Sequence, residues 1–229
     1  MYNDEKVGAV IVAAGDSRRM GGVDKMWALL AGKPVLFWVL PTFQNSTVID
    51  EIVVVIKKDN LDLCQHKIKE QRTMGALKVC SGGQKRQDSV LSGLNQLEKC
   101  KWVVIHDGAR PLVNKSLIEQ GLEAAQETGA AIAAVPVTDT IKEATKERFV
   151  KRTLDRHQLW AVQTPQVFRY DIITEAHHRA IHEVTDDSAL VEKIGYKVQI
   201  YPGSYDNIKI TTPDDLVLAE CLIKERFRY

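Results

Sequence analysis

Several short stretches of this chain combine bare backbone with clustered charge, the pairing that phosphorylated compounds need. The first is V-G-A-V-I-V-A-A-G-D-S-R-R-M-G-G-V-D-K, residues 7–25. Its β-branched run 7–13 reads as a buried strand. Ala14 and Gly15 then leave the main chain uncovered, so a ligand can lie against backbone N–H and C=O groups. Arg18, Arg19 and Lys25 follow with no helical pattern between them. A bare loop followed by cations suits a nucleoside triphosphate; the plain alternative is a glycine turn with solvated cations. A second stretch is His106-Asp107-Gly108-Ala109-Arg110-Pro111. Asp107 could ligate Mg²⁺, which takes one or two carboxylates plus phosphate oxygens. Arg110 could hold a phosphate as a planar fork, and the alternative is a loop ion pair. In a third, Ser81-Gly82-Gly83 precedes Arg86, Asp88 and Ser89. Ser89 could bond a base or ribose, or simply cap the helix that follows.

Other charged positions are less pointed. Lys142, Lys151, Arg152 and Arg156 load a polar segment, where a solvated hairpin accounts for the first three. Lys209 lies in an apolar-flanked run, from which it either snorkels to water or reaches a site. His178 and His182 are four apart, a metal-compatible spacing, but no flanking carboxylate pattern supports one. A solvated helix face is the simpler reading of these and of His177. No G-x-S-x-G elbow marks a serine nucleophile.

These residues need a scaffold, and 229 residues suffice for one large α/β domain spanning 1–229. A formal net charge of +1 sets up no global field for nucleic acid or a membrane surface, so any anion site is local. Cys64, Cys80, Cys100 and Cys221 form no C-x-x-C pair, which argues against zinc and disulfide frameworks. With no apolar run of membrane-spanning length, a soluble cytoplasmic protein is expected.

Strands are expected at 7–13, 52–56, 77–80, 102–105 and 130–135. Helices are expected at 34–43, 59–69, 86–97 and 116–127. This alternation predicts a mostly parallel sheet with helices on both faces, and ligands at the strands' carboxyl ends. The segments after Ala13, Cys80 and Ile105 should therefore meet at one sheet edge. From 137 to about 157 the alternation stops. Residues 138–142 and 149–154 pair on paper as a polar hairpin around 145–148, an arm too thin to stand alone in water. A second copy of the chain is a good support for it. Beyond it come a strand at 160–168, helices at 171–182 and from Asp187 to 193, and strands at 196–201 and 207–210. A final helix follows at 213–224, with Thr212 as its N-cap.

Taken together, the motifs closely resemble the 2-C-methyl-D-erythritol 4-phosphate cytidylyltransferase family. The matching pieces are A-A-G-D-S-R-R-M at 13–20, Lys25, G-G-Q-K-R-Q-D-S-V at 82–90 and H-D-G-A-R-P at 106–111. V-P-V-T-D-T-I-K at 135–142, L-D-R-H-Q-L-W-A-V-Q-T-P-Q at 154–166, T-D-D at 185–187 and D-N-I-K-I-T at 206–211 complete the set. The resemblance implies a Rossmann-like three-layer nucleotidyltransferase fold, a homodimer joined by hooked β-arms, and CTP with Mg²⁺ as ligands. It implies that the backbone at Ala13, Ala14 and Gly15, with Gly83 and Ser89, receives cytidine. Arg19 and Lys25 match the cations that hold the triphosphate and stabilise the transition state. Asp107 matches the metal-contacting aspartate. Arg110, Thr164 and Lys209 match contacts to the sugar phosphate, with Thr140 and Arg156 reaching across from the neighbouring subunit.

The chain departs from the family pattern in places. Ser17 replaces the second glycine of G-x-G-x-R-M, and Asp24 stands directly before the lysine, where a proline or another residue is common. Gln84 occupies a position that is acidic in some members, so no contact is assigned to it. The glycines at 21 and 22 suggest a loop that moves without ligand. The implied reaction is attack of a phosphate monoester on the α-phosphorus of CTP. The nearest alternative acceptor is ribitol 5-phosphate, and a catalytically silent nucleotide-binding protein is an alternative of another class.

Overall fold

The computed structural model describes residues 1–21, 24–70 and 77–226. β1 (Val7–Val12) is buried along its whole length, as its β-branched composition requires. A short hairpin, β2 (Leu29–Leu30) and β3 (Lys33–Pro34), leads into α1 (Val35–Gln44). β4 (Glu51–Ile56), a 3-10 turn at Lys58–Asn60, α2 (Leu61–Glu70), β5 (Leu77–Ser81) and α3 (Arg86–Leu94) follow. The chain continues through β6 (Trp102–Asp107), α4 (Lys115–Thr128) and β7 (Ala130–Pro136). β8 (Lys142–Ala144) and β9 (Val150–Thr153) form a separate two-stranded ribbon. β10 (Trp160–Arg169), α5 (Tyr170–His178), α6 (Ser188–Lys193), β11 (Gln199–Pro202) and α7 (Pro213–Arg226) complete the chain.

Among the described residues, seven strands form one sheet in the order β11-β7-β10-β6-β1-β4-β5. All neighbours are parallel except β10, which runs antiparallel to both β6 and β7. The expected α/β class, a mostly parallel sheet with helices on both faces, is what the chain adopts. Alternation along β1 shows why both faces are dry. Val7, Ala9 and Ile11 pack with α1 and α4, through Phe37, Leu40, Ile118 and Leu122. Val10 and Val12 turn the other way, toward Val90 and Leu94 of α3 and Ile172 and Ile173 of α5. A third cluster seats Ala219 and Ile223 of α7 on Met20, Leu30, Leu112 and Ile210, next to the segment that carries Arg19. No helix among the described residues is long and apolar enough to cross a membrane.

Several boundaries differ from the sequence-based expectations, each for a physical reason. The first arm strand starts at Lys142 instead of 138, because Arg156 Nη1 donates to the Thr138 carbonyl at 2.7 Å and takes it out of any ladder. The turn at 145–148 is present, with Arg148 in the left-handed region and its N–H bonded to the Thr145 carbonyl. Residues 207–210 form no strand. The Asn207 carbonyl instead accepts from Arg110 Nη1 at 2.7 Å, and its side-chain amide donates to the Thr164 carbonyl at 2.8 Å. α5 stops at His178, so His178 and His182 do not share a helix. α3 ends at Leu94, and Leu97 still packs into the core from the turn beyond. At α7 the cap works in reverse: the Asp215 carboxylate accepts from the Thr211 and Thr212 N–H groups, both at 2.8 Å. Gly22, half of the expected mobile glycine pair, lies outside the described residues, whereas Gly21 ends a 3-10 turn at φ +62°.

Candidate active site

The three loops do meet. Ala13 and Gly108 are bonded to the ends of β4 and β1, through Val55 and Val12 carbonyls at 2.7 and 2.9 Å. Gly82 continues β5 by donating to the Ile56 carbonyl at 2.8 Å. A Cβ on Gly82 would stand 2.4 Å from the Ala14 Cβ and 2.6 Å from Ser89 Oγ, so only glycine lets these loops close on each other.

Two cavities open at this edge. One of about 790 Å³ is bordered by Ala14, Gly15, Gly82, Gly83 and Ser89, with Lys57 and Lys58 on its rim. The other, of about 560 Å³, is bordered by Asp107, Arg110, Thr164, Gln166, Lys209 and Ile200 of β11. Arg86 borders both. Of the residues singled out in the sequence, Ala14, Gly15, Gly83 and Ser89 thus share one cavity, and Asp107, Arg110, Thr164 and Lys209 share the other. Ala13 is buried beneath the first. Arg19 is exposed on the 3-10 turn Arg18–Met20, and Lys25 is half-buried within electrostatic range of Arg19, Asp107 and Lys209. Thr140 and Arg156 border neither cavity. Thr140 is exposed, and Arg156 lines a hollow of about 520 Å³ at the arm's base with Thr138, His157 and Trp160.

Asp107 is the electrostatic centre. Lys209 Nζ lies 2.7 Å from its carboxylate, Arg86 Nε 3.4 Å and Arg110 Nε 3.8 Å. Burial alone would raise the Asp107 carboxyl, but Arg86, Lys209 and Arg110 outweigh it and hold it well below the usual carboxylate range. It is therefore ionised at any physiological pH. Lys25 is lowered as well, which for a lysine disfavours the charged form: burial, then Lys209 and Arg19, lower its pKa against the opposing pull of Asp107 and Asp24. Its backbone is tied at Ser17: the Lys25 N–H donates to Ser17 Oγ at 3.0 Å.

Behind the carboxylate is a neutral brace. The Asp107 N–H donates to Thr164 Oγ1 at 3.0 Å, and Thr164 Oγ1 lies 3.1 Å from His106 Nδ1. His106 Nε2 lies 3.2 Å from the Arg110 carbonyl, which only accepts. Nε2 therefore carries the proton, and the threonine hydroxyl donates to Nδ1. Burial pushes the His106 pKa down to about 4, in keeping with a neutral ring. The imidazole is a spacer that fixes Asp107, Arg110 and Thr164 relative to one another.

A buried extension of this network left no signal in the sequence. Arg86 Nη1 donates to Asp187 Oδ2 at 2.6 Å, and Asp187 Oδ1 lies 3.3 Å from His177 Nε2. His177, read as solvated, is buried, and the Asp187 side chain is 1% exposed. Lys209, Asp107, Arg86, Asp187 and His177 thus form a chain of facing groups from the cavity into the core. The T-D-D run was visible, but nothing in its spacing says that its last carboxylate turns inward to Arg86. Asp187→Ala leaves Arg86 without its shortest contact. Breaking a buried pair from one side costs about 3–5 kcal/mol, and the cavity-facing Arg86 puts the expected loss at the low end, about 3 kcal/mol. Urea unfolding followed by circular dichroism checks it; an unchanged midpoint would refute the role.

A mostly parallel sheet with cation-bordered cavities at the carboxyl ends of its strands defines an α/β protein built to hold phosphorylated substrates. Comparison with known proteins narrows that class. The family model for 2-C-methyl-D-erythritol 4-phosphate cytidylyltransferase matches residues 7–225. A protein of that name from Dehalococcoides mccartyi is 54% identical over 225 residues, covering 98% of this chain and 99% of the relative. One from Caldanaerobacter subterraneus is 46% identical, covering 96% and 99%. Among solved structures, 4-diphosphocytidyl-2C-methyl-D-erythritol synthase from Anaerococcus prevotii superposes with a TM-score of 0.86 at 30% identity, covering 96% of each chain. The cytidylyltransferase from Thermus thermophilus gives 0.78 at 34% identity, covering 96% and 99%. The chain belongs to the 2-C-methyl-D-erythritol 4-phosphate cytidylyltransferase family.

Proposed function

We propose that this enzyme transfers CMP from CTP to 2-C-methyl-D-erythritol 4-phosphate, giving 4-diphosphocytidyl-2-C-methyl-D-erythritol and pyrophosphate. The observation that carries this reading is the pair of cavities that share Arg86, with Asp107, Arg110 and Lys209 on one side and bare backbone on the other. An oxygen of the acceptor phosphate bonds to the α-phosphorus of CTP. The bond from that phosphorus to the bridging oxygen breaks, and its electron pair leaves with pyrophosphate. A phosphate monoester has its second pKa at about 6, so the nucleophile is already ionised and needs no general base. What opposes the reaction is repulsion between anions and their misalignment, which fixed cations relieve. Ala13, Ala14, Gly15, Gly83 and Ser89 receive the cytidine. Arg19 and Lys25 hold the triphosphate, and Arg110, Thr164 and Lys209 hold the acceptor phosphate.

Asp107 suits a divalent metal as its single protein carboxylate. Mg²⁺ usually keeps several waters and is held by one or two carboxylates plus substrate phosphates, so one carboxylate beside the triphosphate is enough. Bound there, Mg²⁺ would neutralise charge on the triphosphate. Lys209 and Arg86 keep the carboxylate oriented meanwhile.

Pyrophosphate release measured with CTP and either methylerythritol phosphate or ribitol 5-phosphate tests the acceptor. Turnover is expected with the first, as the family's name favours. Preference for ribitol 5-phosphate would move the reading to that acceptor, and release with neither would make the protein a silent binder.

The polar ribbon is the part of the chain that supports reading it as a homodimer; a cytoplasmic location is part of the same proposal. Phe149 and Val150 are 72% and 62% exposed on the β8–β9 ribbon, more apolar surface than a solvated hairpin keeps bare. A second copy covers them, and carries Thr140 and Arg156 from the arm's base to its neighbour's site. Mixing Arg156→Ala and Lys25→Ala chains is then expected to restore part of the activity that each loses alone, since one site of the heterodimer is intact. Verified heterodimers with no recovered turnover would exclude the exchange.

A further inference from the structure

We infer that Ser17, Asp24 and Asn60 form a clasp that positions Lys25 for reaction, so that these three act on turnover through that lysine. This rests on the proposed role of Lys25 on the triphosphate.

The need for a clasp is physical. An ammonium on a flexible four-carbon stem is drawn to water and repelled by the cations around it. Lys25 sits among such cations: its burial, then Lys209 and Arg19, disfavour its charge. Asp107 and Asp24 pull the other way, but they do not outweigh burial and the two cations before an anionic substrate arrives. A hold on the backbone adds what this balance lacks.

The geometry supplies the hold. Ser17 Oγ accepts the Lys25 N–H at 3.0 Å and donates to Asp24 Oδ1 at 3.4 Å. The same Oδ1 accepts the Met26 N–H at 3.0 Å, so one carboxylate oxygen grips the chain on the far side of Lys25. Asp24 Oδ2 accepts from Asn60 Nδ2 at 2.9 Å. Asn60 closes the 3-10 turn between β4 and α2, with its own N–H on the Lys57 carbonyl at 2.9 Å. The hold is thereby anchored to the central sheet. Asp24 also supports the Lys25 charge electrostatically. Ser17 and Asp24 are bonded to each other as well as to the backbone on either side of Lys25. A glycine at 17 has no side-chain oxygen with which to take the Lys25 N–H.

Steady-state kinetics on the full-length enzyme, with CTP and methylerythritol phosphate, test the clasp. Asp24→Ala and Asn60→Ala are expected to lower kcat by about ten- to a hundredfold with KM for CTP little changed, the pattern of a misplaced catalytic group. The exchanged pair Asp24→Asn with Asn60→Asp keeps the bond between the two side chains with donor and acceptor reversed. It is expected to return kcat to within about threefold of the parent. Adding Asp24→Ala to Lys25→Ala is expected to cost nothing further, because both act through one group. Full additivity in that double variant, or single variants that melt lower yet turn over normally, would overturn the clasp. Normal turnover by Lys25→Ala alone would instead overturn the role of Lys25, which separates the two failures.

Discussion

Lys25→Ala lowers turnover by about two to three powers of ten, the scale for losing one preorganised charge donor at a developing anion. The size of the effect follows from where Lys25 sits. Its pKa is lowered by burial and by Lys209 and Arg19, so the free enzyme holds this charge at a cost. That cost is recovered only when negative charge accumulates beside it, and most of all in the transition state. The loss should therefore fall on kcat and kcat/KM together, with KM for CTP changing little. Single-turnover quench experiments with saturating CTP would measure the chemical step directly. Turnover within a few-fold of the parent would sink the assignment.

Asp107→Asn is expected to reduce turnover by about two powers of ten, for a different reason. The substitution keeps size and one acceptor oxygen but removes the charge that Lys209, Arg86 and Arg110 share. Arg86 retains Asp187, whereas Lys209 and Arg110 lose their carboxylate. The cations then repel each other, and the site offers no carboxylate to a metal. Activity titrated against Mg²⁺ should need a higher metal concentration for half-maximal rate, and kcat should stay low at saturation. A variant with parental kcat and an unchanged metal requirement would show that Asp107 is only a counter-ion for its neighbours.

Much of this fold could be read from the chain because its central strands carry their own evidence. The run 52–56 is apolar at every position, and only a strand buried on both faces tolerates that. The helices between such runs then had few places to go. Failures came where backbone groups bond to side chains from distant segments. The Asn207 carbonyl goes to Arg110, and the Thr138 carbonyl to Arg156. No periodicity carries such information. The site divided the same way. Asp107 and Arg110 ride on a strand end and were legible. The Asp187–His177 pair was not, because a histidine on a helix looks the same in sequence whether it faces water or a buried carboxylate.

Arg86 stands between the two cavities, and that placement has a thermodynamic consequence. A guanidinium tethered by Asp187 cannot swing fully toward either side, so an anion in one cavity changes the field felt in the other. The two binding equilibria are then linked. By whatever factor CTP alters the enzyme's affinity for the acceptor, the acceptor alters its affinity for CTP by the same factor. The reciprocity belongs to the wall that both compartments share.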